Sequence, residues 1–486
     1  MTNDSYDVIV IGAGAVGENV ADRTVQGGLR TLIIESELVG GECSYWACMP
    51  SKALLRSGAA LAAARRVPGA AEAITGGVDV AATLARRTAF TSNWSDDGQA
   101  SWLESAGIDL LRGHARLTGL REVTVTAADG TVTTLTATHA VVMCTGSSAL
   151  LPDIPGLADV QPWTSREATS ATEIPASLAI IGGGTVSVEM ATAYASFGCE
   201  VTVIARSGLL GGLEPFAGDI IATALRAEGV TVLLETSPTR VERTATGEVA
   251  LTLSTGGTVT AAQVLVAAGR TPRTDDHGLD TVGLAAGDWV TVDDTLRVVG
   301  ESGALDEGWL YAAGDVNHRA LLTHQGKYQA RAVGDVIVAR ATGSTVDDAP
   351  WGAHVATADN AAVPQVTFTD PEVASVGLTA AAAIKAGFRV RILDHDLAAL
   401  AGSALLAGGY VGKARAVVDL DREVLIGVTF VGQDVAELLH SATIAVVGEV
   451  PLNRLWHAVP SYPTVSEAWL RLLEQYGRPG SANAEG

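Results

Sequence analysis

Asp7-Val8-Ile9-Val10-Ile11-Gly12-Ala13-Gly14-Ala15-Val16-Gly17 carries an apolar, β-rich run straight into three spaced glycines. The pattern predicts a strand over Asp7 to Ile11, a tight turn, a helix over Glu18 to Gln26, and a second strand, Thr31 to Ile34, ending on Glu35. Each glycine has its own task. Gly12 permits the turn, Gly14 lets the backbone approach a pyrophosphate, and Gly17 lets helix and strand pack closely. The helix N-terminus offers N–H donors to the phosphates. Glu35 stands about 20 residues beyond the first glycine, where a carboxylate accepts from ribose hydroxyls. A glycine motif alone is weak; flanked by two strands and closed by an acid, it specifies a dinucleotide-binding unit.

A second copy follows. Leu178 to Ile181 reads as a strand, Gly182-Gly183-Gly184-Thr185-Val186-Ser187 as the turn, Val188 to Phe197 as the helix and Glu200 to Ile204 as the next strand. Gly182 and Gly184 keep their tasks, while Ser187 replaces the third glycine with another small residue. Where the first unit places Glu35, this one places Ala205 followed by Arg206. An acid there favours the free 2′-hydroxyl of NADH, whereas an arginine suits a 2′-phosphate. The expected nucleotide is NADPH, with NADH possible.

The chain has 486 residues, enough for two to four domains. With 48% hydrophobic and 18% charged residues it is a folded globular protein. A formal charge of −22 repels nucleic-acid phosphates and anionic lipid, so neither nucleic acid nor membrane is expected as a partner. Between Asp4 and Asp7 there is no basic n-region or cleavage site, and the apolar runs fall short of the roughly 20 residues a membrane helix needs. The expectation is a cytoplasmic protein. Lysine is scarce, occurring only as Lys52, Lys327, Lys385 and Lys413.

Two cysteines lie in Gly40-Gly41-Glu42-Cys43-Ser44-Tyr45-Trp46-Ala47-Cys48-Met49-Pro50-Ser51-Lys52, close behind the first glycine turn. In a reducing compartment such a pair is redox-active or metal-binding rather than structural. A zinc site would need further Cys or His at ligand spacing, so no metal is expected. Cys144 and Cys199 stand alone in apolar surroundings and read as buried thiols.

Asp153-Ile154-Pro155-Gly156 reads as a crossing between the two nucleotide units, and Val264 to Arg270 with Thr271-Pro272 as the return. Tyr311-Ala312-Ala313-Gly314-Asp315 reads as a strand ending in a polar residue at a cofactor edge. Gly343 to Asn360 is a polar, irregular connection. Beyond Val363 the pattern changes to strands, with Val366, Phe368, Val428 and Phe430 as candidates, and two helices, one over Val435 to Val447. The fold class is therefore α/β: two Rossmann-like dinucleotide-binding domains plus a C-terminal α+β domain. Its boundaries are 1–155 and 276–350 for the first domain, 156–275 for the second and 351–486 for the third.

Taken together, these pieces resemble the flavin-dependent pyridine nucleotide–disulfide oxidoreductases, among them dihydrolipoamide dehydrogenase, glutathione reductase and mercuric reductase. The resemblance covers nearly the whole chain. It is carried by the Gly12 turn, the Cys43–Cys48 pair with Pro50 and Lys52, Cys144-Thr145-Gly146, the Gly182 turn, Ala268-Gly269-Arg270-Thr271-Pro272, Gly314-Asp315, Leu321-Leu322-Thr323-His324 and Val363 to Glu372.

The resemblance implies FAD on the first domain, NAD(P)H on the second, and a homodimer formed by the third. It implies hydride transfer from the nicotinamide to the flavin and onward to a Cys43–Cys48 disulfide, with Cys48 nearest the flavin and Cys43 the outer, interchange thiol. Lys52 and Glu189 become an ion pair beside the flavin, where a cation stabilises developing negative charge. Glu35 is placed on the adenosine ribose, His114 and Ala115 at the adenine end, and Asp315 on the ribityl chain. Thr145 and Gly146, Gly269, and Leu321, Leu322, Thr323 and His324 lie along the cofactors.

Three departures stand out. The family's disulfide reductases end in His-Pro-Thr-x-Ser-Glu, where the histidine takes the interchange thiol's proton. This chain reads Ser461-Tyr462-Pro463-Thr464-Val465-Ser466-Glu467. It keeps Glu467 but puts a phenol of ordinary pKa about 10 where an imidazole of about 6.5 belongs. His457, five residues earlier, is a weaker substitute. Tyr45 and Trp46, between the cysteines, either wall the disulfide side for a planar substrate or pack behind it. Finally, Arg478-Pro479-Gly480-Ser481 and the residues after it hold no cysteine pair of the kind with which mercuric reductases deliver metal, which argues against that activity. The expected function is electron transfer from NAD(P)H via FAD to a small disulfide acceptor. The alternatives are a quinone or metal-ion reductase of the same fold and a non-catalytic redox sensor.

Overall fold

The computed structural model describes residues 5–301 and 303–478; Asp4 and the cysteine-free tail 479–486 lie outside the described residues. The chain divides into two compact units, each assembled from three stretches. Unit 1 takes residues up to Pro50, Thr88–Leu150 and Arg270–Asn360, and unit 2 takes Ser51–Arg87, Leu151–Gly269 and the remainder from Ala361.

Unit 1 is built on β1 (Ser5–Ile11). It pairs in parallel with β2 (Thr31–Glu35) on one side and with the strand Val132–Met143 on the other. Val8, Ile9 and Val10 are wholly buried, as a central parallel strand covered on both faces requires. Asp109–Arg112 extends the sheet beyond β2. Leu310–Ala312 joins the far end of Val132–Met143 in parallel, and the antiparallel ribbon His114–Gly119 and Glu122–Thr126 joins its start. Helix α1 (Ala15–Gln26) connects β1 to β2 and begins three residues before the sequence expectation, because the glycine turn is shorter than its spacing suggests. The long helix Thr323–Thr342 runs beside α1. Small residues let the two backbones approach: a Cβ on Gly326 would come within 2.5 Å of Val16, one on Gly334 would strike Arg23, and one on Gly27 would strike Val338.

Unit 2 contains the second nucleotide fold. Its four-stranded parallel sheet runs in the order Thr231–Leu233, Glu200–Ile204, Ser177–Ile181, Gln263–Val266. The helix Thr185–Ser196 follows the glycine turn. Gly182 has φ +134°, and a Cβ there would collide with the Ala267 carbonyl. Gly12, at φ +99°, meets the Cys144 carbonyl in the same way. The serine in third position is explained by its surroundings. Ser187 is fully buried, and its hydroxyl donates to the Gly182 carbonyl at 2.7 Å, so the side chain bridges the turn it replaces a glycine in.

The C-terminal part of unit 2 is a five-stranded antiparallel sheet in the order Pro364–Thr367, Glu372–Gly377, Val424–Gly432, Lys413–Asp419, Val390–Asp396. Here the sequence expectations need correction. Phe368 falls one residue past the first strand, where its N–H turns to a side chain instead of the ladder. The helix expected from Val435 starts at Leu439, since Asp434 has φ +58° and the segment up to Leu438 is a series of turns. Rather than two helices, the described residues hold Ala380–Lys385, Ala401–Leu406, Leu439–Val447, Leu452–Leu455 and Ala468–Tyr476; the short ones lack the length to show a helical repeat. Two buried ties hold this sheet within the unit. Glu214 accepts from the Ala380 N–H at 2.6 Å and from Arg415 at 2.8 Å. Cys199 and, in unit 1, Cys144 are buried, as expected. No described helix is long and apolar enough to cross a membrane.

Replacing Ser187 by Ala removes one buried hydrogen bond and leaves the Gly182 carbonyl without that donor, so it should cost about 1 kcal/mol. A lower urea midpoint with an unchanged slope, followed by circular dichroism, is the expected result.

Candidate active site

The glycine turn of unit 1 opens onto a cleft. Gly12 and Gly14 form its floor, and Glu35, His114, Ala115, Thr145, Gly146 and Asp315 line it. Gly17 lies beneath, where a Cβ would collide with the Gly12 carbonyl. Glu35 first serves the turn itself: Oε2 accepts from the Ala13 N–H at 2.8 Å and Oε1 from the Glu37 N–H at 2.7 Å. Asp315 is held by Ser147, which donates to it at 2.5 Å, with Arg270 at 3.7 Å. Behind it the Gly314 N–H donates to Gln329, whose amide donates in turn to the buried Asp359. His114 begins its strand and lies 4.9 Å, ring to ring, from His277; burial moves both imidazoles below their ordinary pKa.

Cys43 lines the same cleft. It sits on α2 (Gly41–Tyr45), whose preceding Gly40 N–H donates to the Ala13 carbonyl at 2.8 Å, tying the cysteine segment directly to the nucleotide turn. Cys48 opens α3 (Cys48–Arg65). All four cysteines are free thiols, and Cys43 and Cys48 hydrogen-bond each other. Cys48 Sγ lies 3.3 Å from the Thr323 hydroxyl, and Thr323 also lines the cleft. The bond to Cys48, and then burial, push the Cys43 thiol above its ordinary range; Thr323 and Lys327 pull it back. Leu321 and Leu322 are half-buried ahead of the long helix, and His324 is exposed in its first turn.

Tyr45 is not a wall for substrate. It is fully buried, and its hydroxyl lies 3.1 Å from the Val39 carbonyl; burial pushes the phenol up to about 12. Trp46 is half-buried and meets Tyr45 edge-on at 5.6 Å.

In unit 2, Lys52 follows Cys48 by one turn of α3, and its ammonium lies 2.7 Å from Glu189. Glu189 is buried, and its second oxygen accepts the Phe368 N–H at 3.0 Å; the Lys52 ammonium stands 5.0 Å over the Phe368 ring. Both carboxylate oxygens are thus engaged, and the cation has an aromatic face beside it. At the second glycine turn Gly184 caps the helix, Ala205 is buried and Arg206 is exposed. Gly269 takes φ +141° at the end of the return segment. Tyr462 is 77% exposed, and Glu467 is buried with Oε2 unpartnered among the described residues. His457 is exposed.

Sequence reasoning missed Glu37, Arg273 and His277 on the cleft wall, and Phe368. Arg273 reaches back to Glu42, beside Cys43, at 2.9 Å. Glu37, Arg273 and His277 lie outside the quoted motifs, and Phe368, within Val363 to Glu372, reads there only as a strand candidate, so spacing carried no signal for these positions.

The comparisons with known proteins bear on this geometry. The pyridine nucleotide-disulphide oxidoreductase pattern matches residues 6–343, and the dimerisation domain of the same family matches residues 363–473. The chain belongs to that family. It is 32% identical to the dihydrolipoyl dehydrogenase of Chlorobaculum tepidum over 474 residues, covering 95% of each protein. It is also 32% identical to the mercuric reductase of Acidithiobacillus ferrooxidans, covering 98% of this chain and 83% of that one. In fold it is similar to the HOCl-induced flavoprotein disulfide reductase RclA of Escherichia coli, solved as a Cu(II) complex, with a TM-score of 0.81, 22% identity and coverage of 97% and 99%. Members of the family use FAD and NAD(P)H, and the chain is an oxidoreductase of this flavoprotein class.

The residues present fit FAD. The cleft joins a glycine turn at a helix N-terminus to the dithiol, and the Thr145 hydroxyl in its lining is buried with no partner among the described residues. A donor left over in an otherwise satisfied wall calls for a ligand acceptor. Thr145→Val keeps the shape and removes the hydroxyl. Fluorescence titration of the apoprotein should show FAD binding weakened by about 1 kcal/mol, roughly fivefold in Kd.

Proposed function

We propose that this chain carries reducing equivalents from NADPH to the Cys43–Cys48 pair and from Cys43 to a small disulfide. The observation that supports it best is the placing of two mutually hydrogen-bonded thiols, Cys43 in the lining and Cys48 on Thr323, at the edge of the cleft that suits FAD. When bound, FAD supplies a two-electron relay between nicotinamide and dithiol. In this reading residues 1–155 and 276–350 hold FAD, 156–275 hold NADPH, and 351–486 pair two copies. Tyr462 and Glu467 of one copy then face the cysteines of the other.

The chain's own groups divide the work. The N-terminus of α1 receives phosphate charge, and Lys52 keeps the buried Glu189 carboxylate paired, where an unpaired charge is costly. Cys43 attacks the acceptor disulfide, forms one S–S bond with it and expels one thiolate. Cys48 then attacks the Cys43 sulfur, closing the Cys43–Cys48 bond and releasing the second thiolate. Two electrons leave the dithiol, and each departing sulfur takes a proton. Tyr462 suits the donor side of that exchange, because its exposed hydroxyl is a hydrogen-bond donor.

A quinone or metal-ion acceptor is the second reading. The exposed phenol at the usual base position favours it, since such acceptors need no thiol deprotonation by an imidazole. The mercuric reductase relative and the Cu(II) complex of RclA are compatible with it.

Cys43→Ser separates the two. Disulfide reduction should fall to background while flavin bleaching by NADPH and turnover with menadione persist. Undiminished disulfide turnover would remove Cys43 from its role. For the nucleotide, Arg206→Ala should raise the KM for NADPH roughly tenfold and leave that for NADH near its starting value, in line with about 1.5 kcal/mol, the low end for a hydrogen bond to a charged group. Equal losses for both nucleotides would reject a 2′-phosphate contact.

A further inference from the structure

The polar connection from Gly343 to Asn360 carries no motif, yet it delivers one acid to the interior of unit 1. Asp359 stands in the short helix Ala358–Ala361 and is buried. Both of its oxygens are taken by amides of the long helix: Gln325 donates to Oδ1 and Gln329 to Oδ2, each at 2.9 Å. Gln329 is wholly buried, and its other end is occupied too. Its Oε1 accepts from the Gly314 N–H at 2.7 Å and from the Asn317 amide at 2.8 Å. Asn317 also donates to the Ala312 carbonyl at 3.1 Å. Gly314 takes φ +81° and immediately precedes Asp315. A buried chain of hydrogen bonds therefore runs from Asp359 to the corner that presents Asp315 to the cleft.

A carboxamide has nearly the same shape either way round, so its neighbours decide which end is oxygen. Turned over, Gln329 would set its NH2 against the Gly314 N–H and the Asn317 amide, donor against donor. An ionised carboxylate only accepts, so Asp359 opposes that orientation. We propose that Asp359 is a positioning residue for FAD: through Gln329 it holds the Gly314–Asp315 corner, and FAD binds best while Asp359 is ionised. The proposal rests on reading Asp315 as the residue on the ribityl chain, and deepens it by naming what holds that residue's backbone.

The charge is kept in an unfavourable place. Burial pushes Asp359 up to about 6, while the bonds from Gln325 and Gln329, and the Arg319 guanidinium, oppose the rise. Tyr328 on the long helix also faces Asp359; burial moves that phenol further up, so it stays neutral. Once protonated, Asp359 carries an O–H, and one of the two facing amides must turn over to accept it. When Gln329 turns, Gly314 and Asn317 lose their acceptor. FAD affinity should therefore climb as pH rises through about 6 and level off above it. Equivalently, bound FAD favours the ionised acid and draws its pKa down.

The test uses the FAD-loaded protein, with released flavin read by fluorescence at pH values between about 5 and 8. The wild-type Kd should tighten roughly fivefold across that range, the scale of one hydrogen bond. Asp359→Asn copies the protonated acid and should bind FAD weakly, with no step near pH 6. Gln329→Glu alone sets two carboxylates face to face and should invert the profile, FAD loosening as pH rises. Combining the two changes should restore tight binding, because the new carboxylate accepts from Gly314 and Asn317 while the new amide donates to it. Melting temperature establishes that each variant is folded. A flat wild-type profile, which needs no variant, or a wild-type profile in folded Asp359→Asn would overturn the proposal. Asp315→Asn is the reference: if it leaves FAD affinity unchanged, the underlying placing of Asp315 fails instead.

Discussion

The Gly40 N–H to Ala13 carbonyl bond fastens the cysteine segment to the nucleotide turn. Ala13 is held from its other side by the Glu35 carboxylate, so one residue between the first two glycines joins the glycine turn, the acid that ends β2 and the cysteine segment. A backbone bond of this kind is insensitive to side-chain choice. It fastens the cysteine segment to the glycine turn without asking anything of Ser44, Tyr45 or Trp46. That freedom is why two aromatic residues can occupy the interval, one of them turned wholly inward.

The two nucleotide folds solve the same steric problem twice. In each, the first glycine tucks under a carbonyl at the end of the following parallel strand, Cys144 in one and Ala267 in the other. They differ one turn later. Gly17 admits no atom beyond hydrogen against the Gly12 carbonyl, whereas Ser187 makes the corresponding carbonyl its hydrogen-bond partner. The same helix then offers Glu189 to Lys52 and to the Phe368 amide, so the second fold supplies both a nucleotide turn and a buried counter-ion.

Much of this was legible in the amino-acid order. Glycine spacing, strand hydrophobicity and the terminal acid act over short range, so both turns and their flanking elements could be placed to within a few residues. Lys52 and Glu189 were paired by family resemblance alone, because 137 residues separate them. The amide of Phe368 on Glu189 and the Arg273 link to Glu42 were invisible. Each depends on the packing of segments whose own patterns are unremarkable. The C-terminal helices were misread for a related reason: turns with positive φ at non-glycine residues, such as Asp434, leave no compositional trace.

Each compact unit is stitched from three separated stretches, and unit 1 is complete only when residues 270–360 exist. A ribosome emits the β1 turn early, yet the strand Leu310–Ala312 and the helix that packs along α1 emerge some 300 residues later. The nascent chain must therefore carry an open sheet edge through most of its synthesis, at about 5–20 residues per second. Such topologies fold slowly, because distant segments must find one another before their contacts reward the search. Heterologous production of this protein should accordingly favour slow translation and chaperone supply.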